Sequence, residues 1–282
     1  MEPLPFIKMH GLGNDFVVVD ARRRAFDPTA AQVRAIARRH TGVGCDQFIV
    51  IEPPRDALAD AFMRIRNADG GEVSACGNAT RCVAALLMDE AKSDHAIIET
   101  AAGLLDAEAK GRDLVGVDMG RVSFDWRDIP LAGPADTLRL DVGAGPLGCA
   151  VAVNIGNPHA VFFVDDAETI ALDAFGPVIE RDPIFPERTN VDVAHVRAPD
   201  RIRLRVWERG VGMTRACGTG ACATLAAAAR RGLAERSADV VLDGGILRID
   251  WLKDDHVIMT GPVAVAFSGV IDTALLGEAD AQ

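Results

Sequence analysis

The sequence predicts an α+β fold of two pseudo-symmetric domains, each a curved, mostly antiparallel sheet around a central helix, with an active site between them. Two stretches headed by cysteine carry most of this expectation. Cys76-Gly-Asn-Ala-Thr-Arg-Cys and Cys217-Gly-Thr-Gly-Ala-Cys each read as a small-residue turn running into a helix. They lie 141 positions apart (217 − 76) in a chain of 282 residues. Gly13-Asn14 before Phe16-Val-Val-Val-Asp20 is echoed by Gly156-Asn157 before Val161-Phe-Phe-Val-Asp165, and Asn67 falls opposite Glu208, Gln47 opposite Asn190. Landmarks repeated in one order at shifts of 141 or 143 point to duplication. β-Branched and aromatic runs outweigh helical patterns elsewhere, which makes the sheets the larger part.

In chain order, strands are expected over Phe16–Asp20, Phe48–Glu52, Ile97–Thr100, Ala160–Val164 and Arg201–Trp207. Asp27-Pro28 reads as an N-cap with proline at the first helical position, opening a helix through Val33 to Arg39 that Gly42 ends. The cysteine-headed helices should cover about 76–91 and 217–231, with Gly232 stopping the second. Val142 to Val164 carries no charged residue, yet its glycines, prolines and asparagines interrupt it too often for a membrane helix, so it reads as strand, turn and strand. Residues 1–120, with Cys76, form the expected first domain, joined by a C-terminal strand over 266–282; residues 121–265, with Cys217, form the second.

Net charge is −11 with dispersed Arg and Lys, which argues against a nucleic-acid surface. The start, Met1 to Lys8, has neither a basic leader nor an apolar core of a signal peptide, and six cysteines without any Cys-x-x-Cys read as reduced thiols. A cytoplasmic location follows as the expectation. No metal site and no pyridoxal cofactor is expected either, because chelating spacings are missing and none of the four lysines sits in a phosphate-binding setting.

A cysteine just before a helix lies where unpaired backbone N–H groups and the positive end of the helix dipole favour a thiolate and an anion. Gly77 and Gly218 let the backbone approach a carboxylate closely. Two such thiols on opposite faces of an amino acid suit one reaction, removal of the α-proton by one and delivery of a proton by the other. Cys82, Cys222, Cys45 and Cys149 read as core residues.

These residues resemble the diaminopimelate epimerase family, cofactor-independent enzymes related to proline racemase. The resemblance spans the chain through Lys8–Phe16, Gly44–Gln47, Asn67–Gly70, Ala75–Asn78, Gly156–His159, Thr189-Asn190, Trp207–Gly210 and Ala216–Cys222. It implies interconversion of LL- and meso-2,6-diaminopimelate, a step toward lysine and peptidoglycan, with Cys217 as proton acceptor and Cys76 as donor when the LL-isomer reacts. It further implies that Asn14, Gln47, Asn67, Asn157, Asn190 and Arg209 line the substrate site, that Gly77-Asn78 and Gly218-Thr219 hold the reacting carboxylate, and that Glu208 and His159 support the thiols and bind the ammonium. A homodimer through the region of Phe267 is implied as well.

There are departures. Met213 stands where the family usually has Glu, while Glu72 keeps that residue in the first half; Cys45 replaces a bulky apolar residue; Phe267 replaces a tyrosine in a chain that has none. The alternative is another cofactor-free racemase, of proline or hydroxyproline type, against which Arg209 argues because a monocarboxylate would leave it unpaired. A non-catalytic binding protein or a thiol redox sensor stands further off, since both cysteines are kept and no resolving cysteine lies nearby.

Overall fold

Residues 3–277 are described by the computed structural model, and they fall into two compact units, 3–117 with 261–277 and Asp118–Thr260. The first holds β1 (Leu4–Gly11), β2 (Asn14–Asp20), α1 (Ala30–Ala37), β3 (Gln47–Glu52), β4 (Ala61–Asn67), β5 (Glu72–Val73), α2 (Gly77–Ala91), β6 (His95–Thr100), β7 (Gly103–Ala109) and β8 (Leu114–Arg121), the last crossing into the second unit. The second holds β9 (Val151–Asn154), β10 (Pro158–Phe163), α3 (Leu172–Glu180), β11 (Asn190–Ala198), β12 (Arg201–Glu208), β13 (Gly212–Thr214), α4 (Gly218–Arg230), β14 (Ser237–Leu242), β15 (Gly245–Trp251) and β16 (His256–Pro262). The chain then returns through β17 (Ala264–Ile271) and α5 (Thr273–Gly277), which belong to the first unit.

The repeat is visible in the pairing. β2 and β3 run parallel with Phe16 opposite Gln47, and β10 and β11 run parallel with His159 opposite Asn190. In both units the next strand pairs antiparallel, then takes a short antiparallel partner on part of its length and a parallel partner beyond the helix. Within the first unit α2 packs on β1 and β2 and also on β6 and β7, so the sheet wraps around it; α4 likewise touches β9, β10, β11, β12, β14 and β15. That enclosure explains the composition of α4. Gly220 through Ala228 are all buried, and alanine lets strands close in on every side of a helix at little entropic cost. The sequence-based α+β reading, with mostly antiparallel strands around one central helix in each unit, agrees with this architecture.

Several local expectations need correction. The first helix starts at Ala30, capped by Thr29 rather than Asp27: Thr29 accepts from the Gln32 N–H while the Gln32 side chain accepts from the Thr29 N–H, a reciprocal box that outcompetes Asp27-Pro28. It ends at Ala37, and Gly42 instead packs where a Cβ would lie 2.2 Å from the Ala35 carbonyl oxygen. The helix α3 is not among the elements expected from the sequence; it holds Pro177 inside it, and Gly176 is there for space, since a Cβ would meet Trp207 at 2.6 Å. The C-terminal strand stops at Ile271 and gives way to α5, and 278–282 lie outside the described residues. Cys149 is exposed, not core: Ala150 beside it takes the inward place opposite Leu140. Cys45, Cys82 and Cys222 are buried, and burial pushes the Cys45 thiol up to about 11 and the Cys82 thiol up to about 12, which keeps both protonated and inert.

Candidate active site

In the first unit, Cys76 is the N-cap of α2, in extended backbone conformation at the mouth of a helix whose first residues are buried. Its thiol lies 3.9 Å from Asn14 Oδ1, which also accepts from Asn78 Nδ2 at 3.1 Å. Asn78 in turn accepts from the fully buried Arg81 at 2.9 Å. Asn14 is held from its other end, donating to Asp46 at 3.1 Å, and Asp46 is gripped by Arg39. Gln47 donates to Asn67 Oδ1 at 3.0 Å, and this leaves the buried Gln47 Oε1 as an acceptor without a partner among the described residues. An orphaned buried acceptor is costly unless a ligand donates to it. The first unit therefore ties the Cys76 thiol to the Asn14 and Asn78 amides beside Gly77 at the start of α2, and pairs Gln47 with Asn67 across β3 and β4.

The second unit is built differently on the same frame. Cys217 caps α4, is nearly fully buried, and accepts from the Gly220 N–H at 3.4 Å, with Thr219 Oγ1 at 3.5 Å. Thr219 also receives Asn157 Nδ2 at 3.3 Å, and Asn157 Oδ1 lies 2.9 Å from His159 Nε2. His159 is wholly buried, with Nδ1 2.7 Å from the buried Asp192. Glu208 accepts from Thr214 at 2.5 Å. Burial, and then the charges of Glu208 and Asp192, push the Cys217 thiol well above its ordinary value, with Thr219 and Gly220 opposing. Burial likewise raises the Glu208 carboxyl, against the pull of Thr214 and His159. A thiol raised in this way becomes a strong base once deprotonated, which suits removal of a proton from carbon.

Arg209 is exposed, with its backbone N–H fixed by Asn190 Oδ1 at 2.9 Å and one guanidinium N–H on the Glu187 carbonyl oxygen at 2.9 Å. Asn190 braces this turn, since its amide also donates to the Pro158 carbonyl oxygen at 2.9 Å. Glu180, which the sequence did not single out, clamps the same turn by accepting from Trp207 Nε1 at 2.8 Å and the Gly210 N–H at 3.0 Å. Met213 leaves no broken ion pair: Glu72 meets Arg64 at 2.9 Å in the first unit, whereas the matching Arg205 donates to the carbonyl oxygens of Ala167 and Ile170.

The diaminopimelate epimerase family model matches residues 6–124 and 151–266. A diaminopimelate epimerase of Rhodospirillum centenum is 60% identical over 271 residues, covering 96% of this chain and 93% of the relative, and one of Acidiphilium cryptum is 57% identical, covering 96% and 98%. The chain belongs to the diaminopimelate epimerase family. Among solved structures, a hydroxyproline epimerase of Agrobacterium vitis aligns with a TM-score of 0.70 at 16% identity, covering 99% of this chain and 98% of that one. A probable proline racemase of Agrobacterium radiobacter aligns at 0.67 and 19% identity, covering 95% and 93%. At these identities the two structures share the fold with this chain.

Proposed function

We propose that the chain is an isomerase that interconverts LL- and meso-2,6-diaminopimelate, with Cys76 and Cys217 as its acid/base pair and no cofactor in the proton transfer. The observation that carries this reading is the pair of cysteines at the N-termini of α2 and α4, in two units whose strands share a matching register, in a member of this family. In the LL direction, the Cys217 thiolate takes the α-proton: the C–H bond breaks, its electron pair delocalises into the carboxylate, and an S–H bond forms. Helix N–H groups at Gly77-Asn78 and Gly218-Thr219 stabilise the charge that gathers on the carboxylate. The Cys76 thiol then gives its proton to the opposite face, and the roles exchange in reverse. Asn14, Gln47, Asn67, Asn157, Asn190 and Arg209 bind the substrate, with Glu208 and His159 supporting the Cys217 end. The product feeds lysine and peptidoglycan synthesis in the cytoplasm.

Replacing Cys76 or Cys217 by Ala should lower epimerisation of purified protein by about 10²-fold or more per group. Near-normal epimerisation by either variant would refute the assignment. We also infer a homodimer through β17, whose outward Val265, Phe267 and Val270 are at least half exposed, with Phe267 edge-on to Phe6 at 5.9 Å. Sedimentation should show a dimer that Phe267→Glu dissociates, and a monomeric wild type would refute it.

A further inference from the structure

The register that relates the two units makes one difference between them conspicuous. Phe16 and Ile49 of the first unit occupy the places that His159 and Asp192 take in the second. An apolar pair has become a fully buried, directly bonded imidazole and carboxylate, 2.7 Å apart. Asp192 lies on β11 among Val191, Val193 and Ala194, all buried, and its second oxygen has no hydrogen-bond partner among the described residues. That oxygen sits under the start of α4, where a Cβ on Gly220 would come within 2.7 Å of it. Nothing about local folding requires a carboxylate there.

We propose that Asp192 is a positioning residue that sets the polarity of a hydrogen-bond chain running through His159, Asn157 and Thr219 to the sulfur of Cys217. The chain is continuous: Asp192 Oδ2 to His159 Nδ1 at 2.7 Å, His159 Nε2 to Asn157 Oδ1 at 2.9 Å, Asn157 Nδ2 to Thr219 Oγ1 at 3.3 Å, and Thr219 Oγ1 to Cys217 Sγ at 3.5 Å. It can run in two senses. With a proton on Nε2, Asn157 accepts through its oxygen and donates through its amide, and the Thr219 hydroxyl proton is left to point at sulfur, which favours the thiolate. With Nε2 bare, the Asn157 amide turns over, Thr219 donates to Asn157, and the sulfur has to keep its own proton.

Burial chooses between them. In the first sense the Asp192–His159 pair holds two protons and is neutral overall, whichever atom bears the shared one. In the second it carries a net negative charge at full burial, with one carboxylate oxygen lacking a hydrogen-bond partner among the described residues, a costly arrangement. The amide of Asn157 passes on orientation, not a proton, so Asp192 acts by fixing which way each dipole points. Its charge also raises the Cys217 thiol, while the Thr219 hydroxyl opposes that rise, so the chain supplies a donor that offsets the carboxylate's direct effect.

This inference rests on Cys217 as the reacting thiol, and its test has an arm that needs no turnover. In protein labelled with ¹⁵N-histidine, with His159 assigned by comparison with His159→Gln, Nε2 of His159 should carry a proton. A bare Nε2 in the wild type would overturn the proposal without any variant having to fold. In the kinetic arm, Asp192→Leu and Thr219→Val should each lower kcat about tenfold or more with KM within about threefold, and Thr219→Ser should stay near wild type. The double variant should be no slower than the slower single variant by more than about threefold, because both cut one chain. Losses that multiply, or Asp192→Leu at wild-type rate, would overturn it. Absence of epimerisation by the wild type would refute the proposed function and leave the histidine measurement to decide this inference.

Discussion

Cys76 and Cys217 occupy matching caps but different electrostatic settings. Cys76 is half-buried beside neutral amides, and Cys217 is buried among carboxylates that make its thiolate costly and hence basic. Both cysteines were legible in the sequence because Cys-Gly recurs at the spacing of the repeat while its surroundings diverge. Asp192 was not, since one acidic residue in Val-Asp-Val-Ala reads as the solvent face of an alternating strand, and only the structure shows that both faces are covered. Arg209 is the residue proposed to select the substrate; it is exposed and its backbone is braced by Asn190. Arg209→Lys keeps the charge and loses the two parallel bonds to a distal carboxylate. Affinity for diaminopimelate, measured by calorimetry, should fall by about 10- to 100-fold, equivalent to about 1.4–2.8 kcal/mol. Unchanged affinity would place the distal carboxylate elsewhere.

At the scale of elements, the strands were legible from their β-branched runs and the two central helices from their small residues, whereas the cap and the end of the first helix were misplaced. Thr29 won the first cap because it forms a reciprocal bond with Gln32, and α3 tolerates Pro177. Polar ties between elements were beyond reach, because they join residues distant in sequence. The tie that places Asn14 is of this kind: Asp15 at the start of β2 meets Lys8 of β1 at 2.5 Å and Arg39, beyond α1, at 2.8 Å. Burial disfavours the Asp15 charge, but hydrogen bonds from Arg39 and Lys8 prevail and hold the carboxyl well below the usual carboxylate range. A carboxyl lowered on folding stabilises the folded state fully above its unfolded value of about 4 and loses that contribution as pH falls through the folded value. Asp15→Asn should therefore be less stable than wild type to urea at pH 7, with the gap closing as pH drops below about 4. A gap that stays constant down to acid unfolding would show that Asp15 contributes through packing and not through charge.

For the molecule as a whole, duplication explains why so much was readable. One plan of strand, parallel strand, short return and buried helix is used twice, and the two copies kept register while exchanging an apolar pair for His159 and Asp192 and Asn67 for Glu208. The plan fixes a cysteine at each helix mouth, and the exchanges make the two ends unequal. The central claim is that two different thiols serve the two faces of one carbon, and isotope tests it most directly. In deuterated water with LL-diaminopimelate, the account predicts meso product almost wholly deuterated at the inverted carbon at low conversion, with little label in recovered LL substrate, because the thiol that took protium serves only the original face. Substantial protium at the inverted carbon of early product, seen by mass spectrometry, would mean that one base carries the proton across and would contradict the assignment of Cys76 and Cys217.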